Sequence, residues 1–265
     1  MLVHADPSAL RCRPRAVTVG TFDGVHTGHR ALFQRLATNG LVPTVVTFDP
    51  HPRLVLGRPV DLIAPLNRRL ELMADAGIAE VLVVRFTQDV ARTAPEDWAE
   101  QVLRPMGARR VVLGRGFRFG ARAAGDAGML RDLGHTVEEV ELQGGASSTR
   151  VRQLVAAGEI TEAARLLGRP IELDGVTRRL PGDGRLRLTL DAGRVVPPPG
   201  TYAGRALGLP VLVTVAGNGE AELSGADRMP AVPPARVRTQ LLFGADLRSG
   251  RPLVPSAGVA LGVAS

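Results

Sequence analysis

The 265-residue chain contains no lysine: all 33 of its basic side chains are arginines, set against 26 acidic residues for a formal net charge of +7. The arginines are spread along the whole sequence rather than gathered into a run, which fits a genome-wide codon bias better than a polybasic nucleic-acid patch. Aromatics are scarce, at 3%, so platforms on which single-stranded bases stack are few. Nucleic acid is therefore not an expected partner, although the positive excess would attract anionic nucleotides. Cysteine occurs once, as Cys12, which excludes an intrachain disulfide and a cysteine-based metal site. No uninterrupted apolar run approaches the ~18 residues needed to span a bilayer. The start, Met-Leu-Val-His-Ala-Asp, lacks the basic region and apolar core of a signal peptide. These absences lead to the expectation of a cytoplasmic protein without a membrane partner.

What is present reads as an ordinary globular composition, 45% apolar and 22% charged, long enough for one large domain or two moderate ones. From about residue 16 to 145, apolar strand-like runs alternate with helical stretches. Strands are expected at Ala16–Phe22, Pro43–Asp49, Glu80–Phe86, Arg110–Leu113 and Thr136–Leu142. Helices are expected at Gly28–Thr38, Leu66–Ala76, Pro95–Met106 and Ala127–Leu133. Such alternation implies an α/β, doubly wound parallel sheet of Rossmann-like type. Ser147-Ser-Thr149 then introduces a helical pair that continues to Gly168-Arg-Pro170. Beyond it the short runs Arg185–Leu190, Pro210–Val215, Glu220–Leu223 and Val237–Phe243 read as strands. Turns at Pro181–Gly184, Pro197–Gly200 and Gly217–Gly219 separate them, as in a small all-β, barrel-like domain. The expected domains are residues 1–169 and 170–265, with residues 251–265 poorly ordered.

One segment concentrates chemistry: Thr18-Val-Gly-Thr-Phe-Asp-Gly-Val-His-Thr-Gly-His29. A buried strand runs into Gly20 and Gly24, which permit a tight turn and a close backbone approach to a ligand. The pattern then turns helical at Thr27. His26 and His29 share one face at the start of that helix, where unpaired N–H groups and the positive end of the dipole favour a bound anion. A lone histidine on an apolar face is usually a core residue, but two of the five in one strand–glycine–helix junction point to phosphate chemistry. In an open α/β sheet this junction lies at the carboxyl edge of the strands, where ligands bind.

Three further segments join it. Ser147-Ser-Thr-Arg-Val-Arg152 offers hydroxyls and N–H groups at a helix start, with an arginine one turn on. Thr47-Phe-Asp-Pro-His-Pro52 follows the second expected strand, with His51 read as an exposed loop residue. Gly114-Arg-Gly-Phe-Arg-Phe-Gly120 follows the fourth. Together with Ala163-Ala-Arg-Leu-Leu-Gly-Arg-Pro170, these segments resemble the HxGH nucleotidylyltransferases, and in wording the FAD synthetase module of bacterial riboflavin kinase/FAD synthetases. The resemblance covers roughly residues 14 to 170.

It implies adenylyl transfer from ATP to FMN, giving FAD and pyrophosphate, with Mg²⁺ held mainly through ATP oxygens and no dedicated metal site. The implied catalytic residues are His26, His29 and Arg152. The implied nucleotide contacts are Gly20, Thr21, Phe22, Asp23, Gly24, Gly114, Ser147, Ser148 and Thr149. Pro50, Pro52, Phe117 and Phe119 would face the flavin. Position 116 is usually Asp or Asn in the family; Gly116 here removes a polar contact near the phosphates, the metal or the flavin. A paralogue acting on a different phosphorylated acceptor, or a non-catalytic flavin- or nucleotide-binding protein, are the alternatives.

The carboxy-terminal region resembles a riboflavin kinase barrel only in part. Pro197-Pro-Pro-Gly-Thr-Tyr-Ala203 is similar to its strand entry. Arg178–Arg187 stands where the kinase carries the Thr and Asn that hold metal and phosphate. A look-alike, Gly204-Arg-Ala-Leu-Gly-Leu-Pro210, comes in the wrong order. Val237-Arg-Thr-Gln-Leu-Leu-Phe243 places Arg238 where the kinase has a glutamate base, and an arginine accepts no proton at neutral pH. A degenerate kinase barrel without kinase activity is expected.

Overall fold

The computed structural model of the protein describes residues 1–10, 13–37, 40–141, 143–180, 185–225 and 234–244. Cys12, Thr38, Leu142, the Pro181–Gly184 turn and residues 251–265 lie outside them. The chain divides into two compact units, Met1–Ser148 and Thr149–Ser265. No helix among the described residues is long and apolar enough to cross a membrane.

The first unit runs β1 (Leu2–His4), β2 (Arg15–Val19), α1 (Thr27–Leu36), β3 (Val42–Asp49), α2 (Pro52–Val55), α3 (Leu66–Asp75), β4 (Glu80–Arg85), α4 (Gln88–Arg92), α5 (Pro95–Trp98), β5 (Ala108–Gly114), α6 (Ala127–Asp132) and β6 (Thr136–Val140). Its six strands lie in the order β1-β4-β3-β2-β5-β6, and every pairing is parallel. β2 is buried along its whole length, as a central strand covered on both faces must be. Even its Arg15 is inside, donating to the Glu80 carboxylate at 2.8 Å and to the Met106 carbonyl at 2.5 Å. The chain adds β3 and β4 on one side of β2 and β5 and β6 on the other. The order therefore reverses at β2, and the loop leaving β2 lies at the switch point where such sheets bind ligands. One core face gathers Val17, Val19, Leu103, Leu113 and Leu130; the other gathers Ala16, Phe22, Leu32, Phe33 and Val45.

Three details differ from the sequence reading. β2 ends at Val19, not Phe22, because Phe22 has φ +49° and packs its ring beside Phe33 rather than continuing the pleat. β1 and α4 are short elements with too little periodicity to register. The stretch Pro95–Met106 is not one regular helix: after α5, Ala99–Leu103 forms a π-type turn in which Arg104 N–H reaches back to the Ala99 carbonyl. That wider turn directs Trp98, Ala99, Val102 and Leu103 together into the core.

The second unit opens with α7 (Ser148–Ala156), whose first residue is the last of the first unit, and α8 (Ile160–Leu167). α8 buries Ile160, Ala163, Leu166 and Leu167 and ends at Gly168 in the left-handed conformation, the usual way to release a helix terminus. Then follow β7 (Ile171–Arg179), β8 (Leu186–Leu190), β9 (Gly200–Ala206), β10 (Leu209–Val215), β11 (Glu220–Ser224) and β12 (Arg236–Gly244). They close an antiparallel barrel in the order β10-β11-β8-β7-β12-β9. β7 is not among the strands expected from the sequence, and β9 is marked there only by the likeness of Pro197–Ala203 to a strand entry. The charges that disguise β7, Glu172 and Asp174, are matched by arginines: Arg169 approaches Glu172, and Arg238 and Arg194 share Asp174. In β9, the Tyr202 hydroxyl donates to the Pro198 carbonyl at 2.7 Å and its ring is buried, which pushes the phenol's pKa up.

Candidate active site

The loop from β2 to α1 is a strained turn built to place two imidazoles. Val25 N–H closes it onto the Phe22 carbonyl, and Phe22, Gly24 and Val25 all have positive φ, at +49°, +81° and +42°. Only glycine adopts this region freely, and a β-branched residue there is an outlier held by its surroundings. Both Phe22 and Val25 are fully packed in the core. At Gly24 any side chain would also collide with Ile63, which lies 2.8 Å from where a Cβ would stand.

His26 is the N-cap of α1, its Nδ1 accepting the His29 N–H at 3.3 Å. This engages one ring nitrogen of a neutral imidazole as acceptor and leaves the proton on Nε2. The two histidine rings stack with centroids 3.5 Å apart and planes at 21°. The Phe22 ring meets His29 edge-on at 5.0 Å. Burial holds the His29 imidazole well below its usual pKa of 6.5, and a second proton on the neighbouring His26 would add to the effect. His29 Nδ1 is buried with no hydrogen-bond partner among the described residues. Gly28, between the histidines, permits the stack: a Cβ there would stand 3.2 Å from the His26 ring.

A second sequence motif meets this turn at its residue Ser148. The Asp23 carboxylate is buried and accepts from the backbone N–H groups of Ile63 and Ala64, each at 3.0 Å at its shortest. The Asp23 carbonyl in turn accepts from Ser148 Oγ at 2.8 Å, across 125 residues of sequence. The Ala146 carbonyl lies 3.4 Å from a Cβ position on Gly28. The segment entering α7 thus returns to the first turn of α1. Ser147 and Thr149 are exposed and Ser148 half-buried. Arg152, half-buried, lies one helical turn beyond Ser148 on α7.

Pro50 is exposed and Pro52 half-buried at the first position of α2. His51 between them is a correction to the sequence reading: it is 6% exposed, not an open loop residue. It caps α2, its Nδ1 accepting the Arg53 N–H at 3.1 Å. Gly114 ends β5, and its carbonyl accepts the Phe117 N–H. The Phe117 and Phe119 rings stack 6.1 Å apart, and Phe119 is buried against Trp98 while Phe117 keeps an open side. Gly116, close before them, has φ +75° and nothing within 4 Å of a Cβ position. Among the described residues, no group of three or more His, Cys, Asp or Glu side chains is placed to hold a metal ion.

Sequence reasoning missed Arg69. Its side chain, on α3, is 2% exposed and donates to the Thr21 carbonyl at 2.7 Å and to Thr47 Oγ1 at 3.3 Å. It also reaches the Phe48 carbonyl and Asp49 Oδ1. Burial lowers its pKa, an effect opposed by Asp23 and Asp49. The signal was present: Arg69 falls three and four residues before Leu72 and Met73, on the helix's buried stripe.

Known proteins resemble this chain over much of its length. The family profile described as FAD synthetase matches residues 10–150. A protein of Listeria monocytogenes named bifunctional riboflavin kinase/FMN adenylyltransferase is 31% identical over 71% of this chain and 67% of its own length. The chain thus spans about two thirds of that relative. An Escherichia coli K12 protein of the same name is 33% identical over 85% of this chain and 76% of its own. Among solved structures, one titled macrolide-efflux protein from Streptococcus pneumoniae superposes with a TM-score of 0.81, covering 97% of this chain and 93% of its own at 22% identity. At that identity the likeness is one of fold alone.

Proposed function

The chain belongs to the FAD synthetase family, and on that premise we propose that it transfers the adenylyl group of Mg-ATP to the phosphate of FMN, forming FAD and pyrophosphate. The observation that carries the reading is the Ser148–Asp23 hydrogen bond, which ties Ser148 of the second phosphate motif to the loop that bears the first. Such a reaction asks for positioning and charge stabilisation rather than covalent work by the protein. A phosphate monoester already carries about −1.5 to −2 charge at neutral pH, so FMN needs no general base. One of its oxygens attacks the α-phosphorus of ATP, the bond to the bridging oxygen breaks, and that electron pair leaves with pyrophosphate.

The His26 Nε2–H and the backbone N–H groups at the start of α1 donate to the α-phosphate oxygens as charge builds there. His29 starts neutral; a triphosphate beside it raises its proton affinity, so the ring takes up a proton from solvent as the nucleotide binds and the imidazolium then stabilises the transition state. Gly20, Thr21, Phe22, Asp23, Gly24 and Gly114 act on the nucleotide through their backbone. Ser148 engages its hydroxyl with Asp23 and so anchors the second motif. Ser147, Thr149 and Arg152 are assigned to the departing pyrophosphate. Pro50, Pro52 and Phe117 face the flavin, and Phe119 backs Phe117. Mg²⁺, held through ATP oxygens rather than by a dedicated protein site, would supply charge neutralisation on the phosphates.

Kinase activity is not part of this reading. Arg238, which stands in place of a glutamate base, donates to Asp174 at 2.9 Å, and Arg194 holds the other oxygen of that carboxylate at 3.2 Å. A second reading keeps the chemistry and changes the acceptor, and Gly116 favours it. Open space stands where the family's Asp or Asn would be.

One experiment separates these readings. Purified protein is given Mg-ATP with FMN or with riboflavin, and FAD, FMN and pyrophosphate are measured. FAD with stoichiometric pyrophosphate from FMN, and no FMN from riboflavin, is the expected result. Pyrophosphate release only with another phosphorylated acceptor overturns the FMN assignment. Binding without turnover overturns catalysis itself.

A further inference from the structure

Arg69 is a buried cation that the phosphate chemistry above does not use. Burying a charge is costly, and an apolar side chain of similar volume commonly serves a core as well or better. Here the cost is visible, because Arg69 Nε is buried without a hydrogen-bond partner among the described residues. Nor is the charge needed to dock α3, which packs by Leu72 and Met73 and whose leading residues Ile63 and Ala64 are already tied to Asp23.

What the guanidinium does, and an apolar group cannot, is hold two separate loops at once. The ladder between β2 and β3 pairs Arg15 through Val19 with Val42 through Val46, and a last bond runs from Gly20 N–H to the Val46 carbonyl. Beyond it side chains take over. Arg69 Nη1 donates to the Thr21 carbonyl, to which Thr47 Oγ1 also donates at 3.2 Å. The same fork reaches the Phe48 carbonyl at 3.3 and 3.4 Å and Asp49 Oδ1 at 3.4 Å. Thr21 begins the turn that carries His26 and His29. Phe48 and Asp49 lead directly into Pro50 and Pro52. A planar fork of fixed geometry spans both; a lysine's point charge does not.

Resting on the adenylyl-transfer reading, we infer that Arg69 is a positioning residue that fixes the histidine turn relative to the Pro50–Pro52 loop, so that donor and acceptor phosphates are held in line. It touches no reacting atom. Its effect falls on the turnover step more than on nucleotide affinity, because a displacement of about 1 Å between reacting groups can lower a rate on the order of a hundredfold.

The test uses full-length R69K and R69M. R69K keeps charge and length but loses the fork; R69M keeps volume but loses both. In the unliganded protein, amide hydrogen exchange over residues 20–26 and 47–54 is expected to rise about tenfold or more in both segments together, while β5 keeps wild-type protection. In the same variants kcat for FAD formation is expected to fall about tenfold or more, with KM for ATP changed less than about threefold. The inference is overturned if either segment exchanges as in wild type in a folded variant, or if exchange rises uniformly across the sheet. If R69M does not fold, R69K alone decides. A wild-type protein that made no FAD would refute the adenylyl-transfer reading and leave the exchange result standing. Unchanged exchange beside an active wild type would remove only the role of Arg69.

Discussion

At the scale of single residues, His29 is the group through which pH should act on stability and, in the proposed reaction, on rate. Burial holds its folded pKa well below 6.5, whereas the unfolded imidazole takes up a proton near that value. Between the two, the unfolded chain binds more protons. Stability is therefore full above about pH 6.5, declines as the pH falls through this window, and levels off below the folded pKa. Thermal melts from about pH 7.5 to 5 should show this fall in wild type and a shallower one in His29→Asn, the difference isolating the histidine from acids that titrate nearby. In the reaction, His29→Ala should reduce kcat on the order of a hundredfold or more, as removal of one transition-state donor does, with a much smaller change in KM for ATP. Gly116 makes the opposite kind of prediction. Asn is among the residues that tolerate positive φ, and the space around the site is open, so Gly116→Asn should fold normally. If a missing polar contact limits use of FMN, this variant raises kcat/KM for FMN. Unchanged kinetics in a folded variant would free Gly116 of any part in acceptor choice.

At the scale of elements, the site depends on a helix start held from several directions. The Ser148 hydroxyl secures the Asp23 carbonyl, and the Asp23 carboxylate secures the approach to α3. Ser148→Ala leaves a partly buried carbonyl without its donor, a loss of about 1–3 kcal/mol. Calorimetry should register a melting temperature lower by roughly 2–4 °C for each kcal/mol, and steady-state assays a fall in kcat as the second motif drifts from the histidine turn. The elements carrying this arrangement were largely legible in the sequence. The βαβ alternation, the turn into α1 and the strands β8, β10, β11 and β12 announce themselves by period and by glycine or proline punctuation. β7 did not, because its Glu172 and Asp174 find arginines at positions 169, 194 and 238. Phe22 read as strand because nothing local states that its ring turns inward to Phe33 and His29. Asp23 was legible as a loop residue but not as the carboxylate for amides 40 and 41 positions on. Arg69 was missed for the same reason, its acceptors lying 20 to 48 positions away. Local pattern reports which face a residue occupies, whereas the partner that makes burial of a polar group tolerable comes from a distant segment.

At the scale of the whole molecule, the arginine-only excess of +7 sets how anionic substrates meet the protein. Several arginines are engaged in exposed pairs, such as Arg185 with Glu222 and Arg236 with Asp191, and pairs of that kind add little stability. The surplus should instead contribute a positive field that raises the local concentration of ATP and FMN. Exposed charges are screened beyond roughly 10 Å at 0.1 M salt, so kcat/KM for ATP should fall several-fold as NaCl rises from about 0.02 to 0.3 M while kcat changes little. The absence of lysine sharpens this expectation. Lysine loses its charge near pH 10.4, whereas arginine keeps it above 12. The salt dependence of kcat/KM should consequently be as steep at pH 10 as at pH 8, provided tightly bound Mg-ATP is the varied substrate. A protein whose excess charge were lysine would lose much of that slope over the same interval. A flat salt response at pH 8 would show that the excess charge takes no part in substrate capture, and a slope that vanished by pH 10 would trace the field to groups other than arginine.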